Sequence, residues 1–159
     1  MGALKCYLVL TSYLGIAVSP ALQETITSIG HLSSLDIIVA AIESNFQSGV
    51  KHETVDAQGL MQLTPIAIKE LQRVRRLLPP YCAVPEPLNL MDDAANLVLG
   101  HCYLWYLDNV QLYNEIESVT GYNGGGYAVD RLRKVRTLSK ETANYIVKYV
   151  QLRALCPAP

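Results

Sequence analysis

Leu35-Asp36-Ile37-Ile38-Val39-Ala40-Ala41-Ile42-Glu43-Ser44-Asn45-Phe46 reads as a helix that buries one face and ends beside a carboxylate. Ser33, Ser34 and Asp36 are residue types that cap a helix N-terminus, and Leu35, Val39, Ile42 and Phe46 recur at the spacing of one helical stripe. Glu43 follows Val39 by four residues, so it lies at the edge of that stripe.

Outward from this helix the pattern stays helical. Residues 47–59, with Gly49, Asp56 and Gly59, predict a loop with a short hairpin. Pro65 suits a first helical turn, and a helix from about Ile66 to Leu78 would expose Arg73, Arg75 and Arg76. The run from Pro79 to Pro87 holds four prolines and predicts a stiff surface loop. A further helix is expected from near Asp92 through Ala95, Leu99, Tyr103 and Tyr106 to about Leu112, and a last one from Glu141 to Leu155. Between them, Gly121 to Gly126 with its four glycines predicts a loop free to visit positive φ. The expectation is a mainly α protein with one domain over residues 30–159.

Composition narrows the classes. Of 159 residues, 50% are hydrophobic and 17% charged, with a net charge of −1, which excludes a disordered chain and gives no bulk attraction to nucleic acid. The balance is uneven: residues 1–129 carry 6 Lys/Arg against 12 Asp/Glu, whereas residues 130–159 carry 7 against 2. The basic tail reads as a solvated helix face or a contact for an acidic polymer. Ten Tyr stand against one Trp and one Phe, and tyrosine suits both sugar or peptide clefts and half-buried helix faces.

Lys5, the apolar run Cys6 to Val18 and then Ser19-Pro20-Ala21 have the layout of a secretory signal peptide. Residues 1–22 are therefore expected to form a separate apolar segment: a signal peptide, or a retained anchor or assembly helix in contact with a membrane. The four cysteines (Cys6, Cys82, Cys102, Cys156) show no C-x-x-C pair, and His31, His52 and His101 fall in no ligand spacing, so neither metal nor cofactor is expected. The disulfide pairing stays open.

A partly desolvated carboxyl holds its proton to higher pH, which is what a general acid needs to protonate a glycosidic oxygen. Glu43 fits that requirement, and its context adds to it. Glu43-Ser44-Asn45-Phe46 is followed by Gly59-Leu60-Met61-Gln62-Leu63-Thr64-Pro65 and then by Gly121-Tyr122-Asn123-Gly124-Gly125-Gly126, with Asn96, Gly100, Tyr103 and Leu104 in between. This ordered set resembles the soluble lytic transglycosylase family, over about Leu35 to Tyr127.

The resemblance implies an α+β lysozyme-like fold acting on peptidoglycan glycan strands without a cofactor. Glu43 would be the single catalytic acid and base, leaving a 1,6-anhydro end. Ser44, Thr54, Met61, Gln62, Tyr122 and Asn123 would serve the substrate site: Met61 and Gln62 lining the cleft, Tyr122 lying over Glu43 and orienting it, Asn123 holding the loop, and Ser44 supporting the helix end. Tyr103 and Tyr127 would face the same cleft.

Three departures from the family pattern stand in the chain. Glu53, Thr54 and Asp56-Ala57 replace the usual serine and Gly-Ala, the Glu-to-Gln interval is one residue longer, and Gly121 replaces an alanine. Thr54 is then the candidate hydroxyl for the acetamido group, and Glu53 or Asp56 could position water. The alternatives are a hydrolysing lysozyme using Glu43 with Asp56 or Glu53, and a non-catalytic structural component of a phage tail or secretion assembly. The family setting implies work in the bacterial periplasm or envelope, or from a phage virion acting there, with a larger assembly as partner.

Overall fold

The computed structural model describes residues 2–52 and 54–156. Seven helices are described: α1 (Gly2–Leu14), α2 (Pro20–Ser28), α3 (Ser34–Ser44), α4 (Pro65–Arg73), α5 (Asp93–Asn109), α6 (Glu115–Val135) and α7 (Lys140–Leu155). A two-residue hairpin, β1 (Lys51–His52) and β2 (Ala57–Gln58), pairs antiparallel with Lys51 opposite Gln58. Short 3-10 turns cover Arg75–Leu77 and Pro80–Cys82.

α3 is the central rod. The Asp36 carboxylate accepts from the Ser33 amide at 2.6 Å and from its hydroxyl at 2.9 Å, which fixes the helix start. Asn45 ends it in the left-handed region, at φ 50°. The expected stripe of Leu35, Val39, Ile42 and Phe46 is only part of the buried surface. Ile37, Ile38, Val39, Ala40 and Ala41 are all at most 1% exposed, because α1, α5 and α7 pack against different sides of the rod. The small residues Ala40 and Ala41 let neighbouring backbones approach.

Of the segment 1–22, expected to stand apart, the described residues supply α1 and the start of α2. α1 packs on α3 and α7, and its Cys6, Tyr7 and Leu10 lie in the same core as α3. Tyr7 meets Phe46 edge to face at 5.0 Å, and its hydroxyl accepts from the Ser19 amide. Among the described residues no helix is long and apolar enough to cross a membrane. The pairing left open by the sequence is Cys6–Cys156 and Cys82–Cys102. The first joins the two ends of the chain; the second ties the proline-rich segment to α5.

Three hydrophobic clusters result, the smallest formed by Val74, Tyr106 and Leu107. The largest surrounds α3, and a second gathers Leu63, Ile68, Leu71, Leu90 and Leu99 around α4 and α5. Tyr122 packs against all three. Asn96, fully buried on α5, links the second cluster to the hairpin. Its Nδ2 donates to the carbonyls of Gln58 and Leu90, and its Oδ1 accepts from the Met61 amide at 2.7 Å. Three hydrogen bonds satisfy an amide that would otherwise be costly to bury.

The expected loop over Gly121 to Gly126 is corrected. Its first residues continue α6, whose Ser118, Val119, Thr120 and Gly121 are buried. Packing between α5 and α7 outweighs the low helix propensity of glycine. The helix breaks at Gly125 alone, with φ 69° and ψ −179°, a backbone region open essentially to glycine.

Candidate active site

Glu43 stands in the last turn of α3, half-buried, where α7 packs against the helix. The Tyr145 hydroxyl, from α7, donates to Glu43 Oε1 at 2.7 Å. Withdrawal from water raises the Glu43 pKa to about 7; the Tyr145 hydrogen bond opposes that rise and the nearby Glu141 carboxylate adds to it. A carboxyl poised there gives and takes a proton near neutrality.

Burial and the negative charge of Glu43 push both Tyr122 and Tyr145 well above the usual phenol range, so both stay protonated donors. The Tyr122 hydroxyl points to the Met61 carbonyl at 2.7 Å. It lies within electrostatic range of Glu43, but the hydrogen bond that orients the acid comes from Tyr145 instead. This corrects the role expected for Tyr122, which holds the Gly59–Gln62 turn in place.

Two grooves share Asn123 on α6. One is lined by Gln62, Leu63, Thr64, Tyr103, Tyr122 and Asn123. The other runs between α6 and α7 past Asn123, Tyr127, Arg131, Ser139, Glu141 and Thr142. Tyr122 lines the first and Glu141 the second; the Glu43 charge adds to the rise of the Tyr122 pKa, and the Glu141 charge adds to that of Glu43.

The other expected site residues separate into two sets. Gln62 lines the first groove with its backbone left-handed at φ 46°, and its Nε2 donates to the carbonyls of Val50 and Gly59. Asn123 lines both grooves. Met61, expected in the cleft, is fully buried against Gly100, so it contributes its backbone rather than its side chain. Ser44 is buried and donates to the Ala40 carbonyl at 3.1 Å, a contact that supports the helix end. Thr54 is exposed in the hairpin turn beside His52 Nδ1 and is not among the groove residues. Asp56 is exposed and paired with Lys51 at 3.1 Å; that ammonium and Gln58 hold its carboxyl below the usual range. Glu53 lies outside the described residues.

Tyr145 and Glu141 escaped sequence reasoning. Their signal is a four-residue period in the last helix, Glu141, Tyr145, Tyr149 and Arg153, which marks one face. Tyr145 meets Glu43 from that face, and Tyr149 and Arg153 both donate to Glu115 on α6.

A short hairpin beside a bundle of helices, with one shielded glutamate at the end of the central helix, defines a lysozyme-like domain. The model of the transglycosylase SLT domain family matches residues 21–146, and the chain belongs to that family. Among solved structures, the inactive mutant of the lytic transglycosylase Slt from Pseudomonas aeruginosa matches 94% of this chain with a TM-score of 0.53 and 22% identity. The chain spans 21% of the length of that structure. Comparison with curated proteins gives no match.

Proposed function

We propose that the chain is a peptidoglycan lytic transglycosylase whose single acid and base is Glu43. The observation that carries this reading is a half-buried carboxyl with its pKa raised to about 7 and one oxygen fixed by Tyr145, in a chain of the SLT family. Glu43 protonates the oxygen between N-acetylmuramic acid and N-acetylglucosamine as that bond breaks. Its carboxylate then takes the proton of the muramoyl C6 hydroxyl, whose oxygen closes on the anomeric carbon as a 1,6-anhydro end. The proton returns to Glu43, so no water is consumed.

The substrate's own acetamido group stabilises the cationic intermediate, and the scheme needs no second protein carboxylate. The pairing of Asp56 with Lys51 supports this over a hydrolase that uses Asp56. The solved neighbour was studied as an inactive glutamate-to-glutamine mutant, which supports the same choice of residue type. The setting is the bacterial envelope, reached by export or from a phage or secretion assembly that opens the wall locally. The two disulfides support an oxidising compartment.

The test is digestion of purified sacculi with product mass spectrometry. Wild-type protein should release anhydro-muropeptides, and Glu43→Gln should lower the rate by about 10²–10⁴-fold. Reducing muramic ends alone would reject transglycosylation, and unchanged lysis by Glu43→Gln would reject Glu43.

A further inference from the structure

Charge is spread unevenly along the chain. Residues 79–129 carry no Lys or Arg against six Asp/Glu, whereas residues 65–78 carry four against one and residues 130–159 carry seven against two. The fold brings parts of the two basic segments together. Val74, between α4 and the turn Arg75–Leu77, shares a buried cluster with Tyr106 and Leu107 of α5, and Val110 and Tyr113 pack against that cluster. The Arg133 guanidinium of α6 lies 5.0 Å from the centroid of the Tyr113 ring. Tyr113 thus joins the end of α4 to the last turns of α6.

The cations gathered there are not neutralised alike. Glu70 holds Arg73 through both carboxylate oxygens, at 2.6 and 2.9 Å, and Glu117 holds Arg133 in the same way, at 2.7 and 2.8 Å. Arg75, Arg76, Lys134 and Arg136 are exposed, and among the described residues none of them has a carboxylate at ion-pair distance. Asp130, exposed one turn before Lys134, offsets part of this charge.

Large apolar side chains stand among these cations. Leu77 is 59% exposed, Leu112 76% and Val135 57%. Leu77 follows Arg76, and Val135 sits between Lys134 and Arg136. Leu112 precedes Tyr113 in a turn that holds it at φ 56°, a backbone region that a leucine rarely occupies. The amides of Gln111 and Tyr113 close that turn by donating to the carbonyls of Tyr106 and Leu107. A single exposed leucine is ordinary on a protein surface. Three large apolar residues set among unpaired cations match a surface that carries anionic groups above an apolar layer, which is the makeup of a bilayer containing acidic lipids. A soluble polyanion would engage the cations and leave the apolar tips in water.

We propose that this end of the molecule docks on the headgroups of an anionic phospholipid bilayer. Leu77, Leu112 and Val135 enter the interface, while Arg75, Arg76, Lys134 and Arg136 meet the phosphates. The contact lies on the bilayer rather than across it, so it is reversible and sensitive to salt. It holds the protein at a membrane face whether or not Glu43 cleaves glycan.

The experiment is co-sedimentation of the full chain with vesicles of phosphatidylcholine alone and of an equal mixture with phosphatidylglycerol. The mixed vesicles should bind about tenfold more tightly or better at low salt, and high salt should abolish the difference. Arg75→Ser with Arg76→Ser should weaken that binding about thirtyfold, a factor of about five for each charge. Lys5→Glu makes the same change of net charge on α1 and should leave it within about twofold. Leu77→Ser with Leu112→Asn should weaken it about tenfold, and asparagine accepts the left-handed backbone at that position. All five substituted side chains are exposed, so the variants do not test folding. Equal binding to both vesicles, or an equal loss with Lys5→Glu, would overturn the proposal. Binding indifferent to the leucine pair and displaced by soluble polyphosphate would overturn it too, assigning the patch to a soluble polyanion. Sedimentation reads no catalysis, so a failure here leaves the glycan-cleaving reading standing, and the reverse holds.

Discussion

Tyr145 donates a 2.7 Å hydrogen bond to Glu43 across 102 residues of sequence, joining α7 to the end of α3. The bond does two things at once. It fixes which oxygen of the acid faces outward, and it lowers a pKa that burial alone would raise further.

Removal of that bond sets the first prediction. A phenol donating to the carboxylate favours the charged form, so Tyr145→Phe should move the Glu43 pKa upward from about 7. The descending alkaline limb of kcat/KM should shift to higher pH, and the maximum should fall about tenfold because the acid is less well oriented. A pH profile of sacculus lysis checks both. A lower rate with an unmoved limb would mean that Tyr145 acts only by packing.

Stability should depend on pH through the same carboxyl. Its folded pKa is raised from 4.5 to about 7, so its contribution is complete below pH 4.5 and is lost as the pH rises towards 7. Glu43→Gln should therefore be more stable than wild type at pH 8, by as much as ~3 kcal/mol, with the difference vanishing near pH 4. Urea denaturation at the two pH values measures it.

Gly59 has φ 77°, and a Cβ there would meet the Leu90 carbonyl oxygen at 2.4 Å and Asn96 Nδ2 at 2.2 Å. The first of these is backbone and cannot swing away. Gly59→Ala should cost roughly 2–4 kcal/mol and loosen the turn that presents Gln62. Thermal unfolding reads the loss, and an unchanged Tm would show that the hairpin moves freely against α5.

The disulfides close loops of very different length, with sequence separations of 150 and 20. Cys6→Ser with Cys156→Ser should lower the unfolding free energy by about 4–5 kcal/mol, and Cys82→Ser with Cys102→Ser by about 3 kcal/mol. Non-reducing peptide mapping should recover Cys6 linked to Cys156. Recovery of Cys156 as a free thiol in a chain beginning after Ala21 would show that residues 1–21 are removed.

Much of the fold was legible in local pattern. The Ser33 and Asp36 cap, Pro65 in a first turn and Asp92 before α5 each depend on neighbours within four residues. Glu43 at the edge of an apolar stripe was legible for the same reason. Gly121 to Gly124 misled, because propensity describes an isolated segment, whereas packing on both sides keeps this one helical. Met61 misled differently: its place in the motif is real, but the buried side chain serves packing while its amide and carbonyl hold Asn96 and Tyr122.

By itself, the sequence determined which residues cap, turn and line helices, and it singled out Glu43 as the candidate acid. The tertiary structure alone decided that the Tyr145 hydroxyl bonds to it and that Cys6 meets Cys156. Helical periodicity records which face of a segment is buried, but not which distant face it meets. Desolvation, ion pairing and hydrogen bonding between distant segments are set by that meeting.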